Sequence, residues 1–177
     1  MKTKHNSPNM HRRQSARGWN PTDYLPLVAI LAVVALSAAA LQWHSATWEL
    51  RMFMRHFTGL FLGIFAMFKL FDPSGFADGF QMYDLIAKRF RPYALAYPFL
   101  ELALGLASLA DAFPFARNIA LLVLMLAGAS GVLLALARGL DVNCACLGNI
   151  LKVPLSTVAV TEDLGMAAMA AWMLATS

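Results

Sequence analysis

Five apolar stretches, each about as long as a membrane-spanning helix, decide what this chain can fold into. They lie at 25–43, 53–71, 93–110, 118–138 and 155–175. A helix needs about 20 apolar residues to cross the hydrocarbon layer of a bilayer. Only 14% of the residues are charged, against about 25% in a typical soluble protein, so charge is too scarce to cover a water-exposed surface. The chain is therefore predicted to be an integral membrane protein.

The apolar stretches show no alternation of apolar and polar residues, which favours helices over the strands of a membrane barrel. We predict an all-α fold, a polytopic membrane helical bundle with about five spans. The longest polar stretches are the N-terminal segment and residues 72–92. Neither is large enough for a soluble catalytic domain, so any chemistry is expected in loops or between helices.

The N-terminal segment, residues 1–23, carries five basic side chains and one acid and has no apolar periodicity. This composition is typical of a disordered basic tail. Residues 24–44 are predicted to form an uncleaved N-terminal transmembrane helix. The alternative is a signal peptide cleaved near Ala38-Ala39-Ala40, but the preceding polar segment is long for that role.

Asp72-Pro73 is a helix-start signal, with the aspartate as N-cap and the proline in the first turn. An amphipathic surface helix over 73–91 is predicted to follow and to end at Pro92. Its apolar face would carry Phe76, Phe80, Tyr83, Ala87 and Phe90, and its solvated face Asp78, Asp84, Lys88 and Arg89.

The only two cysteines, Cys144 and Cys146, lie one residue apart in a polar loop, residues 141–152. Such a pair can form a small strained disulfide, exchange a disulfide with a partner, or bind a soft metal ion such as copper or mercury. We take both as candidate catalytic residues and as candidate metal ligands. The alternative is that they are small apolar side chains that fill space at a helix end.

Four further ionisable residues fall at or inside the apolar stretches. Glu101 lies within the third stretch, where an ionised carboxylate is costly unless it is paired or faces water. Lys69, at the end of the second stretch, is its candidate partner, and it could alternatively extend to the lipid headgroups. Glu162 and Asp163 are candidate supporting acids. Adjacent helical positions point about 100° apart, so one is expected to face the bundle interior and the other the headgroups or the cysteine loop.

Gly59 and Gly63 have the spacing that lets two membrane helices approach closely. The contact could join two copies in a homodimer. It could instead lie within one bundle, where residues 127–131 offer a patch of small side chains.

The distribution of basic residues predicts which side of the membrane each loop occupies. With five spans, one side holds eleven Lys and Arg residues and the other holds Arg51, Arg55 and Arg117. The eleven are Lys2, Lys4, Arg12, Arg13, Arg17, Lys69, Lys88, Arg89, Arg91, Arg138 and Lys152. Basic loops stay in the cytoplasm, so the N-terminus and the cysteine loop are predicted to be cytoplasmic, in a bacterial-type inner membrane.

Four short motifs occur in order along the chain. They are Arg55-His56-Phe57-Thr58-Gly59, Lys69-Leu70-Phe71-Asp72-Pro73-Ser74-Gly75-Phe76, Pro98-Phe99-Leu100-Glu101-Leu102-Ala103-Leu104-Gly105 and Asn143-Cys144-Ala145-Cys146-Leu147-Gly148. On these motifs the sequence resembles the MauE/DoxX family of redox-associated membrane proteins, the methylamine-utilisation MauE branch in particular. The resemblance implies a four-helix core over 53–177. For the MauE branch it also implies help in maturing a disulfide-rich methylamine dehydrogenase subunit alongside a thioredoxin-like partner.

Two features depart from this family pattern. Leu147 stands where an aromatic residue usually follows the second cysteine, and residues 1–54 add a tail and a span. The added span would place the cysteine loop in the cytoplasm, whereas oxidative maturation of an exported enzyme needs it outside.

Three functions are compatible with the sequence. The first is a thiol–disulfide relay through Cys144 and Cys146 with a thioredoxin- or glutaredoxin-like protein. The second is soft-metal binding or transport, and the third is a non-catalytic membrane assembly factor. No quinone or flavin motif is recognised, so the cofactor is unknown, and no nucleic-acid partner is expected.

Overall fold

The computed structural model describes residues 25–43, 47–137 and 155–176. These ranges form α-helices and contain no strand, so the all-α prediction is confirmed. In chain order the helices are α1 (Leu25–Ala40), α2 (Leu50–Phe71), α3 (Pro73–Phe80), α4 (Arg91–Leu109), α5 (Pro114–Ala137) and α6 (Leu155–Ala175).

Three of the five predicted spans, α2, α4 and α5, are both long enough and apolar enough to cross a membrane. The apolar helix α1 has 16 residues, about 24 Å at the helical rise, which is less than the hydrocarbon thickness of about 30 Å. Helix α6 has 21 residues and carries Glu162 and Asp163. The chain is a multi-pass helical membrane protein.

The bundle pairs α2 with α4 and α5 with α6, while α1 packs on α2 and α3 packs on α4. One apolar cluster joins α1, α2, α5 and α6. A second cluster packs α3 and the following turn against α4 and the later half of α5. The second cluster encloses the polar site described below.

Helices α2 and α4 approach closely at Gly59 and Gly105. A Cβ atom built on Gly59 would come within 2.9 Å of the Gly105 carbonyl oxygen, and one built on Gly105 within 3.0 Å of the Gly59 carbonyl oxygen. The contact of Gly59 therefore lies within the bundle, but against α4 and not against the small residues 127–131. A Cβ atom on Gly63 would meet no atom within 4 Å, and the homodimer stays a prediction.

The predicted surface helix begins where the sequence indicated. The Asp72 side chain accepts a hydrogen bond of 2.9 Å from the Gly75 backbone N–H, and Pro73 occupies the first turn. The predicted end is wrong, because α3 stops at Phe80 and turns follow to residue 90. Pro92 does not end a helix but lies in the first turn of α4, where its missing N–H leaves no bond unmade.

One side chain of this segment faces the opposite way from the prediction. Asp84, expected on the solvated face, is buried. The Asp84 Oδ1 atom accepts hydrogen bonds from the backbone N–H groups of Ile86 at 2.9 Å and Ala87 at 2.7 Å. A side chain that bonds to nearby backbone in this way competes with helix formation. After α3 has ended at Phe80, these bonds therefore hold a separate turn at Asp84 and the helix does not resume.

Candidate functional site

Both predicted catalytic residues, Cys144 and Cys146, lie outside the described residues, as does the predicted basic tail over 1–23. The predicted exchange or metal-binding roles of the cysteines stay predictions. Lys69, Glu101, Glu162 and Asp163 lie within the described residues, and we start the description of the candidate site from these four.

Lys69 and Glu101 are brought together inside the bundle. The Lys69 Nζ atom donates to both carboxylate oxygens of Glu101 at 2.5 Å, and each residue is 4% exposed. Lys69 lies in the last turn of α2 and Glu101 in the middle of α4, so the α2–α4 contact determines their meeting. The alternative expectation that Lys69 extends to the headgroups is wrong, because its side chain is buried.

Two aromatic rings lie close to the Lys69 ammonium. Its Nζ atom lies 5.4 Å from the centroid of the Phe76 ring and 5.1 Å from that of Tyr97. Phe80 packs on Tyr97 with 4.7 Å between ring centroids. A cation over an aromatic face is stabilised by the ring quadrupole, so α3 and α4 help to hold the charge in place.

Asp163 of α6 reaches the same pocket across a glycine of α5. A Cβ atom built on Gly128 would lie 2.9 Å from the Asp163 Oδ2 atom and 3.5 Å from the Tyr97 hydroxyl oxygen. Gly128 thus leaves the space that the carboxylate needs. Asp163 also interacts electrostatically with both Lys69 and Glu101. Its neighbour Glu162 is partly buried and points elsewhere around the helix, since adjacent positions differ by about 100°.

Asp84 also belongs to the candidate site, although its sequence pattern placed it on a solvated helix face. Asp84 is 2% exposed and lies against α5, where a Cβ atom on Gly131 would come within 3.1 Å of both the Asp84 Cα and the Tyr83 carbonyl oxygen. Burial raises the pKa of Asp84, and the two backbone hydrogen bonds it accepts act in the opposite direction. An aspartate followed by a turn is the local signal that could have indicated a buried cap.

A second polar network holds the opposite ends of α2, α4 and α5. Arg55 forms an ion pair with Asp111. The Arg117 Nη1 atom lies 3.3 Å from Asp111 Oδ1, and Arg117 Nε donates to Asn118 Oδ1 at 3.1 Å. Asp111 and Phe113 both have positive φ, so the turn between α4 and α5 is held against backbone strain. We assign this network a structural role.

The described residues contain no group of three or more His, Cys, Asp or Glu side chains arranged to hold a metal ion. The candidate site brings together the Lys69 ammonium, the carboxylates of Glu101, Asp84 and Asp163, and the phenolic hydroxyls of Tyr93 and Tyr97.

A family model described as methylamine utilisation protein MauE matches residues 42–176. The chain belongs to the MauE family. The match begins before Arg55, where the motif resemblance starts, and so takes in all of α2 while leaving α1 outside. No curated protein and no solved structure matches the chain significantly.

The MauE region contains both cysteines and the buried cluster, by which we mean Lys69, Glu101, Asp84 and Asp163. Residues 138–154 join α5 to α6, the two helices that supply Gly128 and Asp163 to the cluster. In the sequence, the two cysteines therefore lie between the two helices that supply Gly128 and Asp163.

Proposed function

We propose that this MauE-family protein is a membrane thiol–disulfide relay that helps to mature a disulfide-containing client protein. Cys144 and Cys146 are the exchanging thiols. The observation that carries the proposal is that the family match over 42–176 includes the only two cysteines of the chain. The family description points to methylamine utilisation, and a methylamine dehydrogenase subunit is the client to test if the cysteine segment faces outward. With that segment in the cytoplasm, as proposed below, the client is a cytoplasmic thiol protein.

The relay works in two balanced exchanges. In the first, the Cys144 thiolate attacks the disulfide of a thioredoxin- or glutaredoxin-like partner, whose S–S bond breaks as a mixed disulfide forms. The Cys146 thiolate then attacks the Cys144 sulfur and releases the partner as a dithiol. Two electrons pass to the partner, and the two protons lost by Cys144 and Cys146 balance the two that its thiolates take up.

In the second exchange, the Cys144–Cys146 disulfide oxidises two client thiols by the same steps in reverse. The client loses two electrons and two protons, and the relay returns to its dithiol form. A disulfide that closes across a single residue is strained, and strain makes a disulfide more oxidising. The pair is therefore suited to giving its disulfide away.

The buried cluster supports this proposal by bracing the helices that carry the cysteines. Asp163 fixes α6 against Gly128 of α5, and Gly131 fixes α5 against the turn at Asp84. The Lys69–Glu101 pair joins α2 to α4. Precise placement of a reactive loop needs rigid supporting elements of this kind.

The proposed location is a bacterial-type inner membrane, with the N-terminus and the cysteine segment in the cytoplasm. Lys69 no longer contributes to the charge bias, because it is buried in an ion pair. Arg117 is buried and paired with Asp111 in the same way, so ten basic residues remain on the predicted cytoplasmic side against two on the other, which keeps the same orientation.

The relay is tested by trapping free thiols with a mass-shifting maleimide after equilibration in redox buffers of stepped potential. Both thiols should become oxidised together as the buffer potential rises. The midpoint potential should lie between roughly −120 and −270 mV, the range of cellular exchange proteins. A Cys146→Ala variant should accumulate a mixed disulfide with the partner, and Cys144→Ala should not. Thiols that stay reduced throughout, in a protein that co-purifies with one soft metal ion per chain, would replace the relay with the metal-binding function.

A further inference from the structure

The turn segment over 81–90, which joins α3 to α4, has one buried face and one exposed face. Tyr83, Asp84 and Ala87 are buried. The Asp84 side chain accepts two backbone hydrogen bonds within the segment. Gly131 of α5 lets the segment pack closely, since a Cβ atom there would lie 3.1 Å from the Tyr83 carbonyl oxygen. The outward side chains therefore project from a backbone that the bundle holds in place.

The exposed face of this segment carries large apolar side chains. Met82, Leu85, Ile86 and Phe90 are each 49–58% exposed. The segment lies between α2 and α4, two helices that are long and apolar enough to cross a membrane, so it lies where the chain leaves the bilayer and enters it again. Apolar side chains exposed at such a place are stabilised by insertion between lipid chains.

Two basic side chains, Lys88 and Arg89, are exposed beside these apolar ones. Within the part of the chain that the structure describes, neither forms an ion pair. The nearby acids are engaged elsewhere, because Asp78 pairs with Arg91 at 2.9 Å and Asp84 accepts its bonds from the backbone. Two positive charges therefore remain available to a negatively charged ligand.

Leu85, Lys88 and Arg89 line one open pocket of about 570 Å³. An ammonium and a guanidinium group both form strong hydrogen bonds to phosphate oxygens. Leu85 adds an apolar wall, which suits the glycerol and upper acyl carbons of a lipid. A free phosphate ion would use only the basic side chains and would leave the apolar ones uncovered, so the pocket fits a phospholipid better.

We propose that the pocket formed by Leu85, Lys88 and Arg89 binds the headgroup of an anionic phospholipid. The exposed apolar side chains of the same segment insert among the neighbouring acyl chains. The inference does not depend on thiol exchange, since it uses none of the cysteine chemistry. It does not depend on the orientation in the membrane either, because it is tested in nanodiscs whose two leaflets have the same composition.

The test measures which lipid lies against the pocket. The purified full chain carries Cys144→Ser and Cys146→Ser, with a fluorophore attached to a Met82→Cys reporter beside the pocket. Phosphatidylcholine nanodiscs contain increasing fractions of phosphatidylglycerol with brominated chains, which quench the fluorophore on contact. Brominated phosphatidylcholine provides the reference, and the two titrations give the relative affinity for the anionic lipid.

We expect phosphatidylglycerol to be preferred and each basic side chain to contribute about fivefold to the preference. Lys88→Gln and Arg89→Gln should each reduce it by about that factor, and the double variant by about 25-fold. Raising the concentration of sodium chloride should weaken the preference, because salt screens exposed charges. Since both side chains are exposed, these substitutions should leave the packing of the bundle intact.

Matched variants separate this pocket from a general effect of charge. Lys88→Arg and Arg89→Lys keep the charge and should keep most of the preference. Arg51→Gln removes an exposed charge at the beginning of α2 and should leave the preference unchanged. A fluorophore on Phe115→Cys, exposed near the beginning of α5, should report quenching that Lys88→Gln does not alter.

Three results would overturn the inference. The first is equal affinity for the two lipids at the Met82→Cys reporter. The second is a preference that survives in the Lys88→Gln, Arg89→Gln double variant. The third is loss of the preference in inorganic phosphate but not in sodium chloride of the same ionic strength, which would assign the pocket to a free phosphate ion.

Discussion

Lys69 and Glu101 form an ion pair between α2 and α4 in which the Nζ atom lies 2.5 Å from both carboxylate oxygens. Both side chains are removed from solvent. A buried pair of this kind contributes little net stability over an apolar pair, but loss of one partner leaves a buried charge uncompensated. The pair therefore specifies how α2 and α4 align more than it strengthens their contact.

We expect Lys69→Met or Glu101→Gln alone to lower the free energy of unfolding by about 3–5 kcal/mol. The double variant should lose less than the sum of the two, because neither partner is left unpaired. Chemical unfolding in nanodiscs, arranged as a double-mutant cycle, measures the coupling. Additive losses would contradict the pairing.

Gly59 and Gly63 provide a matched pair of substitutions on one helix. Gly59→Ala should destabilise the protein by about 1–3 kcal/mol, because the new methyl group meets the Gly105 carbonyl oxygen at 2.9 Å. Gly63→Ala should not destabilise the protein and should raise its stability by up to about 1 kcal/mol, since a Cβ there meets nothing within 4 Å and alanine favours a helix interior over glycine. Equal losses in the two variants would mean that α2 and α4 do not cross at Gly59.

Asp84 should make stability depend on pH. Because burial raises its pKa above the ordinary value of 3.8, the folded protein holds this proton more tightly than the unfolded chain. The contribution of Asp84 to stability is therefore full below pH 3.8 and is lost as the pH rises through the raised pKa. Asp84→Asn should remove this part of the pH dependence of stability. The amide oxygen of the asparagine should still accept the hydrogen bonds from Ile86 and Ala87.

The measurement is the unfolding midpoint as a function of pH above 3.8. The matched control is Asp78→Asn, which removes the same charge from an exposed position paired with Arg91. An Asp84→Asn profile that runs parallel to wild type would show that Asp84 does not titrate in this window.

The orientation in the membrane predicts opposite labelling of two exposed positions. In a background without cysteines, Ser74→Cys in α3 should be protected from a membrane-impermeant maleimide on intact cells. Phe113→Cys should react, because Phe113 is 81% exposed in the turn at the other end of the bundle. The reverse pattern would place the cysteine segment outside the cytoplasm and favour maturation of an exported client.

The positions of the helices could be predicted from the sequence. An apolar stretch in lipid must satisfy its backbone hydrogen bonds within itself, so each of the five predicted stretches coincides largely with a helix. The start of α3 was equally predictable, because Asp72-Pro73 acts through atoms only three residues away. The family assignment also followed from short ordered motifs, and the match over 42–176 confirms it.

The tertiary structure alone decided which side chains meet. The partner of Gly59 proved to be Gly105 and not the small residues of α5, because the packing of α2 on α4 sets that contact. Asp84 was assigned to the wrong face, since the helix on which the assignment depended stops at Phe80. Asp163 joins the Lys69 pocket only because α6 packs against Gly128 of α5. Local sequence signals act over a few residues, whereas these contacts depend on how whole helices are placed.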